Sequence, residues 1–129
     1  MSTSPFVSAP MDVEPQWTDY NGHLNMAYYN VLFDHGSDQA FDAMGIGRAY
    51  VSERRLSFFT AEIHVCYLRE LHQGSQVTVS TQIIDVDDKR VHVFQEMRHA
   101  EGWLAATSET LYLHVDMTAR KAAPVPADV

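Results

Sequence analysis

The sequence has a single cysteine, Cys66, and few basic residues for its length. No intrachain disulfide is therefore possible, which suits a reducing compartment. The nine Lys and Arg residues stand against 17 Asp and Glu, which gives a formal net charge of −8. This excess of negative charge argues against nucleic acid and against an anionic membrane surface as the partner.

Long apolar runs are also missing. No stretch approaches the roughly 18 apolar residues that a membrane-spanning helix needs. Residues 1–10 lack a basic start and an apolar centre, so they do not resemble a signal peptide, and we expect a cytoplasmic protein. No glycine-rich phosphate loop supports nucleotide hydrolysis. The seven histidines do not cluster with cysteines or carboxylates at the spacing of zinc sites, so we expect no metal.

What is present fits one globular domain over residues 1–129. After a strand candidate at 6–13, broken by prolines, a helical pattern runs from about residue 25 to the glycines near residue 45. Its polar stripe repeats every four residues, and Gly36 in its middle predicts close packing against a neighbouring element. The stripe consists of Asn30, Asp34, Asp38 and Asp42.

The rest of the chain reads as strands at 56–69, 76–86, 91–99 and 103–117, followed by a loose tail at 118–129. The adjacent Ile83 and Ile84 predict a bulge in the second of these strands. Alternation in the first places a set of apolar residues on one face: Phe59, Ala61, Ile63, Val65 and Tyr67. One long helix and long strands joined by short turns predict an α+β fold, with a curved antiparallel sheet wrapped round the helix.

A polar turn before the helix carries the candidate chemistry. Asn25 is available as the helix N-cap, so Asp19 is not needed for that role. The N–H groups near Met26 and Ala27 would lie at the positive end of the helix dipole, where they could polarise a carbonyl group. A carboxylate beside such an oxyanion site suits acyl transfer to water, whereas the alternative is a turn aspartate with a structural role alone.

Residues 19–25, Asp-Tyr-Asn-Gly-His-Leu-Asn, resemble the Asp-x-x-Gly-His-x-Asn signature of hotdog-fold acyl-CoA thioesterases, the relatives of 4-hydroxybenzoyl-CoA thioesterase. Three further stretches, 59–70, 88–94 and 113–116, resemble the betainyl-CoA thioesterase domain associated with L-carnitine dehydrogenases. The resemblance implies a hotdog fold of about five strands round one helix. It also implies hydrolysis of betainyl-CoA to glycine betaine and coenzyme A in carnitine catabolism, with coenzyme A as part of the substrate and no cofactor.

The resemblance also implies roles for individual residues. Asp19 takes the position of the catalytic carboxylate, as nucleophile or as base for a water, and the Met26 amide that of the oxyanion donor. His23 and Asn25 match positions that orient the substrate or the water. Family members form homodimers or homotetramers with the active site at the subunit interface, so the strand around residues 58–62 would face the partner's helix start. Some relatives instead carry a catalytic acid in mid-helix, where Asp38 lies.

A trimethylammonium group is held by aromatic faces, which makes the aromatic residues near the motif and on the first long strand candidates for the acyl pocket. The predicted substrate-binding residues are Trp17, Tyr28, Tyr29, Phe58, Phe59 and Thr60. For the phosphates of coenzyme A the candidates are Arg69, Lys89 and Arg90. Two alternatives remain open: another short-chain or aromatic acyl-CoA as substrate, or a non-catalytic module that binds acyl thioesters.

Overall fold

The computed structural model describes residues 5–129, and within that range the chain forms seven β-strands and two α-helices. In chain order they are β1 (Phe6–Val7), β2 (Met11–Asp12), α1 (Met26–Ala43), α2 (Arg48–Arg54), β3 (Leu56–Tyr67), β4 (Gln76–Val86), β5 (Arg90–His99), β6 (Leu104–Asp116) and β7 (Lys121–Ala122), with one 3-10 turn at Pro15–Trp17. The predicted α+β fold, an antiparallel sheet packed round one long helix, is confirmed.

Helix α1 begins and ends where the sequence predicts. The Asn25 side chain accepts a hydrogen bond from Ala27 N–H at the start, and Gly45 takes a φ of 79° just beyond the end. Gly36 lies against β4, since an added Cβ there would come within 2.7 Å of Val79 Cγ1. The helix therefore sits closer to the sheet than any larger residue at position 36 would permit. No helix in the described residues is both long and apolar enough to cross a membrane.

The sheet has the strand order β1–β4–β5–β6–β3, with β2 paired to β4 and β7 paired to β6. Its central strands alternate buried and half-buried residues, as expected of a sheet with one face on the core. The predicted bulge in β4 is confirmed, because the β4–β5 register shifts between Ile83 and Asp85. Strand β3 ends the sheet and pairs, among the described residues, with β6 alone.

A second bulge, in β3, corrects the predicted faces of that strand. The register against β6 shifts between Thr60 and Glu62, so Ala61 is the extra residue. After the bulge, Ile63 pairs with Thr110 and shares the helix side of the sheet. Before it, Phe58 and Thr60 take that side, because they pair with the buried His114 and Tyr112, and Phe59 lies on the outer face. The prediction that Phe59 shares a face with Ile63, Val65 and Tyr67 is therefore wrong.

Two features at the far end of α1 differ from the sequence prediction. A second helix, α2, forms between the predicted end of α1 and the predicted strand at 56–69, where the sequence predicted no element, and it ends at Arg55 with a left-handed φ of 58°. The tail is attached rather than loose. Strand β7 pairs with β6, the His114 ring contacts the Ala123 carbonyl at 2.8 Å, and Asp128 forms an ion pair with Arg54. These contacts hold residues 121–128 against β6 and α2.

Candidate active site

Residues 17–25, which we call the motif loop, form a tight hairpin. Trp17 O accepts a hydrogen bond from Asn25 N–H at 2.9 Å, and His23 O accepts one from Asp19 N–H at 2.9 Å. Gly22 takes a φ of 80° at the tip, a conformation that favours glycine. The loop is also tied to the segment after β3, where Leu24 N–H donates to Leu71 O at 2.8 Å. Its backbone is therefore fixed relative to both α1 and the end of β3.

One oxygen of the Asp19 carboxylate is hydrogen-bonded within the motif loop, and the other faces solvent. Its Oδ1 accepts hydrogen bonds from Asn21 N–H at 2.8 Å and from His23 N–H at 3.2 Å. Within residues 5–129, Oδ2 has no hydrogen-bond partner, and the side chain is exposed. The bonds to Oδ1 set the orientation of the carboxylate, while Oδ2 remains open to a substrate or a water molecule.

The start of α1 presents one open amide. Asn25 Oδ1 accepts a hydrogen bond from Ala27 N–H at 3.0 Å, so the expectation that this amide is free is wrong. Among the described residues, no acceptor is found for Met26 N–H. The open amide lies at the positive end of an 18-residue helix, a position that favours negative charge. Asn25 thus caps the helix through Ala27 N–H and leaves Met26 N–H available to a ligand.

His23 belongs to a surface cluster that sequence reasoning missed. Its Nδ1 lies 3.3 Å from Glu70 Oε2, and its ring packs edge-on against His72 at 4.7 Å. The His23 ring therefore contacts the segment after β3, whereas only the backbone N–H of His23 bonds to the Asp19 carboxylate. Glu70 and His72 carry no local sequence signal, because only the docking of the motif loop brings them near His23.

Of the predicted pocket aromatics, Trp17 and Tyr28 lie together beside the motif loop. Their rings stack at 5.9 Å with an interplanar angle of 13°, and His35 approaches Trp17 from one to two turns further along α1. The pair covers one flank of the helix start. It is available to a ligand there, since both residues are only partly buried.

Tyr29 is a core residue, which corrects its assignment to the pocket. It is 4% exposed, and its hydroxyl accepts a hydrogen bond from Leu71 N–H at 3.2 Å. Burial raises the pKa of Tyr29, so the phenol stays neutral. Tyr67, which was not predicted, takes the position next to the helix start: its hydroxyl donates to Met26 O at 3.2 Å, and it is 46% exposed.

The strand residues predicted to bind the substrate lie away from Asp19 within one chain. Phe58 packs against Phe41 and His114 near the C-terminal half of α1. Phe59 points to the outer face of the sheet. The helix start contacts the other end of β3, at Tyr67, about 30 Å along the strand from Phe58 at about 3.3 Å per residue. One chain alone therefore does not bring Phe58, Phe59 or Thr60 to the motif loop.

The three cations predicted for coenzyme A are also separated. Arg69 lies at the motif-loop end of the sheet, with its guanidinium 4.2 Å from the centre of the Trp103 ring. Lys89 and Arg90 lie at the β4–β5 turn, at the opposite end of β5 from His99. Arg90 is already paired with Asp87 at 2.6 Å. Within a single chain Arg69 is therefore far from Lys89 and Arg90, and the binding of the coenzyme A phosphates by these residues stays a prediction.

Two cavities line the gap between α1 and β3, and we call this gap the α1–β3 groove. It has an outer cavity of about 460 Å³ next to α2 and an inner cavity of about 350 Å³. Both are bordered by the same four side chains: Asp34, Ser37, Thr60 and Tyr112. Burial, followed by the charge of Asp34, raises the pKa of Asp38 at the outer cavity. Sequence reasoning did not single out Ser37 or Tyr112, because their approach depends on the register of β6 beneath α1.

The edge of β3 beside this groove is apolar and uncovered. Phe59 is 54% exposed, Ile63 51% and Tyr67 46%, although the last two lie on the helix side of the sheet. A long edge strand with exposed apolar side chains is normally covered by another element or another chain. The groove and this edge are therefore incomplete in the single chain.

Comparison with known proteins gives a consistent result. The thioesterase-like superfamily matches residues 13–129. A protein of Rhizobium meliloti named L-carnitine dehydrogenase/betainyl-CoA thioesterase is 38% identical over 118 residues, which cover 91% of this chain and 24% of the relative. The betainyl-CoA thioesterase of Pseudomonas aeruginosa is 34% identical over 118 residues, covering 91% of this chain and 74% of the relative. The chain thus spans about a quarter of the length of the first relative.

A solved structure also matches over nearly the whole chain. A hypothetical protein of Staphylococcus aureus in complex with CoA superimposes with a TM-score of 0.88 at 28% identity. The match covers 98% of this chain and 79% of that protein. Sheet order, helix and motif loop therefore belong to a common architecture, and that protein binds CoA.

Proposed function

Because the chain belongs to the thioesterase-like superfamily, we propose that it is an acyl-CoA thioesterase that hydrolyses betainyl-CoA to glycine betaine and coenzyme A. The choice of acyl group is supported by the betainyl-CoA thioesterases that are 34% to 38% identical to it. The observation that carries the chemistry is the helix start, where the open Met26 N–H of α1 directly follows the fixed motif loop that carries the open oxygen of Asp19.

In the proposed reaction, the thioester oxygen accepts a hydrogen bond from Met26 N–H, and the helix dipole stabilises the negative charge that develops on it. Asp19 Oδ2 then attacks the carbonyl carbon directly, or removes a proton from the water that attacks it. In both routes the C–S bond breaks, and the thiolate of coenzyme A takes up a proton. In the direct route, water then hydrolyses the mixed anhydride formed on Asp19, which releases glycine betaine and restores the carboxylate. Asn25 is a positioning residue in this scheme, because its side chain satisfies Ala27 N–H and leaves Met26 N–H for the substrate.

We further propose a homodimer in which two β3 edges pair antiparallel about their middle, near Ala61. Strand β3 runs from Leu56 to Tyr67, so this pairing places Tyr67 of one copy opposite Leu56 of the other. A two-fold axis perpendicular to the sheet keeps both helices on the same side. The helix start beside Tyr67 of one copy would then approach Phe58 and Thr60 of the other, at the α1–β3 groove. Assembly of two such dimers into a tetramer stays a prediction.

The substrate assignment is tested with betainyl-, acetyl-, butyryl- and benzoyl-CoA, by following release of the coenzyme A thiol. We expect the highest kcat/KM for betainyl-CoA, and for Asp19→Asn a kcat lower by about 100-fold or more, with an unchanged unfolding curve. Equal rates across the panel would disprove the betainyl preference. A folded Asp19→Asn protein with wild-type turnover would disprove the catalytic role of Asp19.

The shared site is tested by mixing two inactive variants. Asp19→Asn removes the catalytic carboxylate, and Thr60→Trp fills the groove. A mixed dimer has one site with both parts intact, so random reassembly of equal amounts should restore about a quarter of wild-type activity. If loop and groove act within one chain, the mixture stays inactive.

A further inference from the structure

The inner cavity of the α1–β3 groove has apolar walls from Val31, Phe33 and Ile63, and its polar lining includes one charged residue and several oxygen-bearing side chains. Asp34 supplies the charge, and the side chains of Asn30, Ser37, Thr60 and Tyr112 supply neutral oxygens. The side-chain oxygen of Asn30 is buried and has no hydrogen-bond partner within residues 5–129. A buried acceptor without a donor is costly, so a ligand that complements it would be stabilised there.

The hydroxyl protons of Ser37 and Tyr112 are used in hydrogen bonds beneath this cavity. Ser37 Oγ donates to Phe33 O at 3.1 Å and accepts from Gln95 Nε2 at 3.0 Å. In the arrangement where Ser37 gives its single proton to Phe33 O, Tyr112 donates its own proton in the 3.0 Å contact with Ser37 Oγ. The Tyr112 oxygen is left with lone pairs towards the groove. Burial raises the pKa of Tyr112, which keeps the phenol protonated in this arrangement.

Aromatic rings and a second carboxylate continue the same surface into the outer cavity. The Tyr112 ring meets Phe41 edge-on at 5.1 Å, and Phe41 meets Phe58 at 5.8 Å. Asp38 follows Asp34 by one helical turn. The cations of the groove, Arg48 and Arg55, line the outer cavity and not the inner one. Positive charge is therefore confined to the mouth of the groove next to α2.

From this juxtaposition we propose that Asp34 is the counter-charge of a quaternary-ammonium subsite, whose wall is formed by the Tyr112 ring and the oxygens of Asn30 and Thr60. A quaternary ammonium has no N–H to donate, and its positive methyl groups pack against aromatic faces and oxygen lone pairs. The subsite thus offers such a cation a negative charge, an aromatic ring and oxygen lone pairs. This inference rests on the proposed thioesterase function and assigns the residue that selects the acyl group.

The subsite acts across the proposed dimer. Asp34 lies about 12 Å along α1 from its own Met26, at about 1.5 Å per residue. In a betainyl thioester the charged nitrogen is only two bonds from the carbonyl carbon, so one helix cannot serve both groups. Antiparallel pairing of β3 brings the helix start of the second copy to the groove. The second copy then holds the thioester while Asp34 of the first faces the cation.

The test uses two substrates of the same shape. Betainyl-CoA and 3,3-dimethylbutyryl-CoA differ only in that a positive nitrogen replaces a neutral carbon. We expect the wild-type protein to favour betainyl-CoA by about 10-fold or more in kcat/KM, and Asp34→Asn to reduce that ratio towards one. Tetramethylammonium, used as an inhibitor of 3,3-dimethylbutyryl-CoA cleavage, should bind at least about 10-fold more weakly to the variant.

Glu101→Gln is the matched control, because it removes one negative charge from an exposed turn at the other end of the sheet. It should keep the wild-type ratio. If Asp34→Asn keeps the wild-type ratio while it folds and cleaves both substrates, the subsite assignment is wrong and the proposed function stands. If the wild-type protein cleaves neither thioester, the proposed function itself fails. An equal loss on both substrates in Asp34→Asn also overturns the inference, because it indicates a general defect rather than a lost counter-charge.

Discussion

Replacement of Asn25 by Asp tests two effects at the start of helix α1: the hydrogen bond that caps the helix, and the charge beside Met26 N–H. In Asn25→Asp, a carboxylate oxygen still accepts the hydrogen bond from Ala27 N–H, now 3.0 Å from Asn25 Oδ1. A negative charge at a helix N-terminus is favourable, so the free energy of unfolding should stay level or rise by about 0.3–1 kcal/mol. The same charge, however, lies beside Met26 N–H, where the oxyanion would form.

The cost to turnover follows from Coulomb repulsion between the new carboxylate and the oxyanion. Two unit charges about 5 Å apart, at an effective dielectric constant of about 20, repel by about 3 kcal/mol. That corresponds to a loss in kcat of about 100-fold. Urea unfolding measures the stability, and release of the coenzyme A thiol from betainyl-CoA measures the turnover. In Asn25→Asp we expect kcat to fall while the free energy of unfolding stays level or rises.

Two further replacements at Asn25 serve as controls. Asn25→Ser keeps a neutral cap, so both stability and turnover should remain near wild type. Asn25→Ala removes the cap and should lower the free energy of unfolding by about 1 kcal/mol. Wild-type turnover in Asn25→Asp would refute the oxyanion assignment of Met26 N–H. A loss of stability in Asn25→Asp as large as that of Asn25→Ala would refute the capping argument.

Three other predictions concern stability. Gly36→Ala would place a Cβ 2.8 Å from Val79 Cβ, so it should lower the free energy of unfolding, measured by urea titration, by about 1–2 kcal/mol. The double variant Gly36→Ala/Val79→Ala should lose less stability than the sum of the losses in the two single variants. Tyr50→Phe removes the hydroxyl 2.7 Å from the buried His114 Nε2, which should cost about 1–3 kcal/mol in the same assay. Burial, and then Asp34, raises the pKa of Asp38 in the folded state, so its carboxylate opposes folding above that pKa. Asp38→Asn should therefore stabilise the protein at neutral pH, with a gain that disappears as the pH falls below the ordinary aspartate pKa.

The helix and the central strands could be predicted because their signals are local. Asn25 caps α1, Gly45 ends it, and the alternation of Val77, Val79 and Thr81 marks the buried face of β4. The position of the motif loop follows from the same boundaries. The open amide at Met26 was predicted for this reason, since the first amides of any helix lack acceptors within the helix.

The rest depends on contacts between distant parts of the chain. The bulge at Ala61 has no signature of its own and depends on how β3 matches β6, so the faces of Phe58 and Phe59 were assigned wrongly. Tyr29 was assigned to the pocket because it is an aromatic residue near the motif in sequence, whereas the structure buries it and its hydroxyl accepts a hydrogen bond from the Leu71 amide. The tail was expected to be loose because no local pattern indicates the pairing of β7 with β6.

The bulge at Ala61 shifts the phase of the edge strand by one residue, and the adjacent Phe58 and Phe59 limit the effect of that shift. If Ala61 were instead paired with β6 as an ordinary ladder residue, the two faces on one side of it would be exchanged, which would turn Phe58 outwards and Phe59 towards the groove. A phenylalanine would still line the groove in either phase, although the hydroxyl of Thr60 would be lost from it. Because Phe58 and Phe59 are adjacent, a slip of one residue in register keeps an aromatic ring in the groove and changes only the polar residues that line it. Insertions and deletions in this strand are therefore a route by which related chains can alter acyl preference without rebuilding the aromatic wall.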